Sequence, residues 1–269
     1  MKGSIEFSSS SGRLSQGFRW AKEQALSYSH EGDLVGDWYE AALPGRNSFC
    51  IRDVAHHAAG AEMLGLRKHT KNMLRRFVQN IAKSRQYCTF WEIDKDYRPC
   101  AVDYASDEDF WYNIPANFEL LDVCFRMYQL TGDMDYITDE DFVRFYDWTI
   151  HQYAQWWDKD HDLLLERKYP GSRLGIPSYC EDECFEEAEA LIDMLVIEIR
   201  GYRSAGAIYK VRKDDKTEQL CNDRAEALMK ILDEDWWDEE AGMYYQVKEK
   251  GGKLSHSTEM GHGLPLLYY

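Results

Sequence analysis

Apolar positions recur along most of this chain at the three- and four-residue spacing of one helix face. Leu14, Phe18, Ala21, Ala25 and Tyr28 step by four, three, four and three, which predicts a first helix. A second is predicted from near Asp53 to a stop at Gly65. A third covers about 68–84, and a fourth rests on Phe118, Leu121, Phe125 and Tyr128 and ends at Gly132. Phe142, Tyr146, Ile150, Tyr153 and Trp157 mark a fifth, opened by acidic residues that suit the positive end of a helix dipole. A long sixth runs through Ala188, Leu191, Leu195, Ile199, Tyr202 and Tyr209, and Cys221, Ala225, Leu228 and Leu232 mark a seventh. After it, Gly242–Val247 followed by Gly251 and Gly252 has the pattern of a small hairpin. No parallel-sheet pattern and no linker interrupts the series. The expected class is all-α, with residues 1–12 a flexible Ser-rich segment and 13–269 one helical domain.

The connections alternate. Those after helices two, four and six (about 65–68, 132–140 and 210–214) are short. Those before the same helices (about 30–52, 85–112 and 158–182) are long and crowded with Trp, Tyr, Pro, Asp and Glu. In a series of antiparallel helical hairpins every second connection emerges at the same end. The three long loops are therefore expected on one face, and long loops in compact domains tend to carry function.

Composition narrows the partners. A chain of 269 residues can bury a sizeable core, and 14% aromatic content argues against disorder. Lys and Arg number 32 against 48 Asp and Glu, a net charge of -16 that repels phosphate backbones and anionic headgroups. Nucleic acid and membrane are not expected partners, and no apolar run approaches the ~18–20 residues of a membrane span. The first dozen residues lack the apolar core of a secretory signal. The seven cysteines form no paired CxxC set, with Cys180 and Cys184 four apart, so free thiols in a reducing cytoplasm are expected. His56 and His57 project about 100° apart on a helix, which suits packing or hydrogen bonding better than a shared metal. Nucleotide-binding glycine loops, H-E-x-x-H and G-x-S-x-G are all missing from the sequence. Neither metal nor cofactor is expected, and the oligomeric state stays open.

The stretches 43–66, 90–121, 175–195 and 236–245, in that order and spacing, resemble the six-hairpin glycosidases, the clan of glucoamylases, exo-acting mannosidases and trehalases. LPGRNSFCIRDVAHHAAGAEMLGL (43–66) is similar to the segment in which an Arg-Asp pair opens an inner helix. FWEIDKDYRPCAVDYASDEDFWYNIPANFELL (90–121) resembles the next sugar-lining loop. GIPSYCEDECFEEAEALIDML (175–195) stands where that clan carries its general acid, and WWDEEAGMYY (236–245) looks like a stretch that often follows an outer helix. The resemblance implies an (α/α) helical-hairpin toroid and a carbohydrate substrate. Its twelve helices would need roughly 370 residues at the spacing seen here. The toroid is thus expected to be incomplete or the chain a fragment, with the late-lying catalytic base outside it.

The resemblance implies that Arg52 and Asp53 bind sugar hydroxyls, although a charged helix start explains the pair as well. Trp91, Trp111 and Tyr112 offer flat faces for sugar rings and equally offer core volume. Glu92, Asp103 and Asp109 lie among them and are taken as substrate-binding. Glu181 is the expected general acid, with Asp182 and Glu183 as fallbacks; a helix cap is the competing role. The leading expectation is inverting glycoside hydrolysis by two carboxylates. The alternatives are a sugar epimerase or lyase on a similar toroid, and a non-catalytic helical scaffold or sugar-binding module.

Overall fold

A computed structural model describes residues 5–43, 45–179 and 188–257. Three helical hairpins dominate it. The helices are α1 (Gly12–Ser27), α2 (Ile51–Met63), α3 (Arg67–Gln79), α4 (Ala116–Thr131), α5 (Asp135–Thr138), α6 (Glu140–Trp148), α7 (Ala154–Trp157), α8 (Ile192–Arg212) and α9 (Asp215–Glu234). A π-helical turn, Thr149–Tyr153, joins α6 to α7. Helices α2, α4 and α8 pack side by side as an inner layer; α3 backs α2, α9 backs α8, and α6 packs against α3 and α5. The burial patterns explain the layering. Helix α8 is apolar nearly all round, from Ile192 and Met194 to Ala205 and Tyr209, and so is covered on every side. Helix α9 buries only Cys221, Ala225, Leu228 and Leu232, a single stripe. Gly201 lets the inner helices close up, because a Cβ there would lie 2.5 Å from the Phe118 ring. Helix α1 buries no residue at all.

The all-α expectation needs correction. Thirteen short strands, none longer than five residues, form six small sheets among the described residues. Strands β1 (Ser29–Asp33) and β2 (Gly36–Tyr39) make a hairpin. Strand β3 (Ser48–Cys50) pairs antiparallel with β4 (Glu92–Asp94), and β5 (Tyr104–Ser106) with β6 (Asp109–Phe110). Strand β7 (Tyr112–Asn113) pairs in parallel with β8 (Leu174–Ile176). Strand β9 (Ala188–Leu191) joins β12 (Val247–Glu249) and β13 (Leu254–Ser255), while β10 (Trp237–Asp238) pairs with β11 (Met243–Tyr244). The single expected C-terminal hairpin is thus two. Two to five residues are too few for period-two alternation to stand out from a loop.

The small sheets bring the long loops together. The β3–β4 pair ties the loop before α2 to the loop before α4, and the β7–β8 pair ties the latter to the loop before α8. All three meet at the N-terminal ends of the inner helices. Among the described residues, no helix is long and apolar enough to cross a membrane.

Candidate active site

Arg52 stands on the first turn of α2, with its guanidinium 5.6 Å from the centre of the Trp91 ring and 5.7 Å from that of Tyr179. Its Nη1 donates to the Tyr179 carbonyl at 3.1 Å. Cation–π contact with both rings restrains the guanidinium. Trp91 itself is buried and meets Tyr112 edge to face. Asp53 follows Arg52 on the same turn, half-buried.

One turn further along α2, His56 Nε2 lies 2.8 Å from Oε1 of Glu119. Glu119 sits in the first turn of α4 and is almost fully buried. Its other oxygen accepts the Tyr179 hydroxyl. The hydrogen bond that His56 donates to Glu119 raises its pKa above the usual imidazole value, against a smaller opposing effect of burial. Half-exposed and biased toward the imidazolium, His56 can hold or move a proton near neutral pH.

The third inner helix holds the loop that carries Tyr179. Asp193, in the first turn of α8, accepts the Ser178 hydroxyl and the Tyr179 amide, each at 2.8 Å. Burial pushes the Asp193 carboxyl up to about 6, opposed by those hydrogen bonds. Asn113 donates to the Ser178 carbonyl and accepts from the Trp111 indole at 2.7 Å. A continuous chain of contacts therefore links Arg52, Tyr179, Ser178, Asn113 and Trp111, one residue set drawn from all three loops.

Other anticipated residues lie elsewhere. Tyr112 is completely buried, and its hydroxyl donates to Asn117 at 2.5 Å, so it is core rather than lining. Glu92 is also buried, with one oxygen on Arg46 at 2.7 Å and the other on the Ser48 hydroxyl. Adjacent strand residues face opposite ways, so Glu92 points behind the wall that Trp91 faces. Asp103 lies 3.7 Å from Arg46, and burial beside Glu92 pushes its pKa up to about 7. Asp109 is exposed on the rim and pairs with Arg173 at 2.8 Å. Glu181, Asp182 and Glu183 lie outside the described residues, as do Cys180 and Cys184.

Glu119, Asp193, Ser178 and Asn113 were not among the expected site residues, whereas His56, expected to pack or to hydrogen-bond, pairs with Glu119. A signal was present: Glu119 and Asp193 interrupt helix starts that are otherwise apolar on every side, in NFELL and LIDML. An acid buried there needs polar partners. Which partners they are, no spacing tells.

No model of a known protein family matches the chain, and no curated protein matches it either. Solved structures do. An alpha mannosidase of Streptococcus pneumoniae, from a family described as metal-independent, aligns with a TM-score of 0.63 at 12% identity, covering 88% of this chain and 63% of that one. A D-mannose isomerase aligns at 0.55 with 8% identity, covering 94% of this chain and 64% of its own. The cellobiose 2-epimerase of Bacillus thermoamylovorans aligns at 0.52 with 11% identity, covering 87% and 60%. The fold is that of the (α/α) toroid enzymes. This chain spans less than two thirds of the length of each of these three proteins.

Proposed function

We propose that the chain belongs to a sugar-processing enzyme, that it supplies part of an (α/α) toroid, and that it binds a pyranose unit against Arg52 and the residues around it. The observation that carries this reading is the clamp on Arg52 beside the His56–Glu119–Tyr179 chain. It unites a rigid planar donor, a half-exposed proton carrier and a buried carboxylate at the ends of two inner helices, with Tyr179 from the loop before the third. That all three structural relatives named above are enzymes of sugars supports the substrate class.

The first reaction is hydrolysis of a glycosidic bond with inversion. One carboxylic acid protonates the leaving oxygen, and a carboxylate opposite activates water. Glu181, directly after the Tyr179 loop, is proposed as the acid, with Asp182 and Glu183 as alternates. Oligosaccharides and aryl-glycosides provide the test. Arg52→Ala is expected to lower kcat/KM on the order of 10²-fold through lost orientation. Glu181→Gln is expected to lower turnover by about 10²–10⁴-fold on a poor leaving group. Unchanged turnover in Glu181→Gln would remove that residue from the mechanism.

The His56–Glu119 pair favours a second reading, epimerisation or isomerisation of a sugar, in which an imidazole carries the proton. Incubation of free sugars in deuterium oxide separates the two. Deuterium entering a ring carbon supports proton transfer at carbon, whereas hydrolysis leaves every C–H bond intact.

A further inference from the structure

Away from the loop face, a cavity of about 350 Å³ opens between the α6–α7 arm and α9, with α8 as its back wall. It is lined by His151, Asp158, His161, Leu163, Tyr202 and Arg224 among others. His151 belongs to the π-helical turn, an insertion that is rare and often found at functional sites. His161 and Leu163 are held at φ of 66° and 83°, the left-handed region that a branched side chain avoids. The Asp158 carboxylate holds this turn through the amides of His161 and Leu163.

The polar groups of the cavity are incompletely matched. Among the described residues, Oδ1 of Asp158 is buried without a hydrogen-bond partner. Glu198, one helical turn from Tyr202 but not itself part of the lining, also leaves Oε2 without a hydrogen-bond partner among the described residues. Glu198 is fully buried, with the Leu165 amide as a donor. Burial raises its pKa well above the usual carboxylate value. Arg224 is half-buried and makes no ion pair among the described residues. Buried polar atoms left open in this way signal a missing partner.

The mixture selects among ligands. An anion would meet Asp158, and a cation would meet Arg224. A neutral molecule rich in hydroxyls can donate to the carboxyl oxygens and accept from the guanidinium and imidazoles. The Leu163 and Tyr202 surfaces suit the C–H face of a sugar ring. The volume falls within the range of small-molecule sites. We propose that this cavity is a second carbohydrate-binding site, taking one neutral pyranose unit on the flank of the helical layers. It rests on the cavity alone and not on the chemistry assigned to the loop face.

The test uses anhydroglucitol and anhydromannitol, pyranoses that lack an anomeric oxygen and so can be neither hydrolysed nor isomerised. Binding is measured by calorimetry on the chain, on Arg52→Ala, and on Arg224→Ala and Leu220→Trp, each alone and in the Arg52→Ala background; Leu220 stands at the cavity mouth. The expected result is saturable binding, on the order of millimolar for so open a site. It should persist in Arg52→Ala and, within that background, weaken at least about tenfold on each cavity change. Circular dichroism checks that each variant is folded; Arg224 and Leu220 are partly exposed, and either variant alone suffices. Binding lost in Arg52→Ala but unchanged in the cavity variants would overturn the proposal, as would no binding of either sugar to the unaltered chain. Stabilisation by calcium chloride with no response to sugar would also overturn it, by making Asp158 and its neighbours a cation site.

Discussion

Glu119 holds two groups at once, His56 on one oxygen and Tyr179 on the other, and its charge acts on the first. Glu119→Gln keeps the shape and removes the charge. The midpoint of the His56 imidazole, followed by NMR, is expected to fall toward the free value, and an unmoved midpoint would show that the pair does not form in solution. The sign for stability follows. His56 is raised in the folded state, so the pair stabilises fully below about pH 6.5, the free histidine value. That contribution is lost as pH rises through the folded pKa. Urea midpoints of the unaltered chain should therefore fall with rising pH across this window relative to those of Glu119→Gln. At this scale the sequence was partly legible. Arg52 and Trp111 could be tied to one end of the molecule by counting connections. That Tyr112 and Glu92 turn inward depended on their neighbours, because strand alternation decides which of two adjacent side chains meets the core.

Helices α4 and α8 approach closely because position 201 has no side chain. Gly201→Ala puts a methyl 2.5 Å from Cδ1 and 2.8 Å from Cβ of Phe118, so the inner layer must shift. The expected loss is about 1–3 kcal/mol in urea unfolding, as for other overpacked cores. Trimming the partner in Gly201→Ala/Phe118→Leu should recover part of it, making the two changes non-additive. A loss equal to the sum of the single changes would mean that the contact is not the cause. The helices were readable because a 3.6-residue stripe repeats over three or more turns. The β3–β4 and β7–β8 pairs were not, since hydrogen bonds between remote loops define them and no local propensity does. The π turn was equally hidden, lying within one unbroken apolar pattern from Phe142 to Trp157.

The whole molecule carries a net charge of -16, and this opposes compaction. Raising ionic strength from about 10 mM to about 150 mM shortens the Debye length from roughly 30 Å to about 8 Å. Long-range repulsion is then screened, while buried pairs such as Lys248–Glu166, 2.7 Å apart, are screened much less. The melting temperature is expected to rise by a few degrees on that change. A fall would show that exposed pairs such as Lys71 with Asp133 and Asp135 outweigh the repulsion.

Helix number does not follow from the sequence, since α5 was not expected and Ala188–Leu191 forms strand β9 rather than the start of a helix; the order of the main helices and the alternation of short and long connections do. Each depends on residues close together along the chain, where a buried stripe and a turn leave a periodic trace. The tertiary structure alone decided which acids are buried, which aromatic rings face Arg52, and where a cavity opens between the α6–α7 arm and α9. Those outcomes depend on residues such as Arg52 and Tyr179, or Glu119 and His56, brought together from separate elements. Burial and charge pairing arise only once the elements have packed, and no pattern within a single element encodes them.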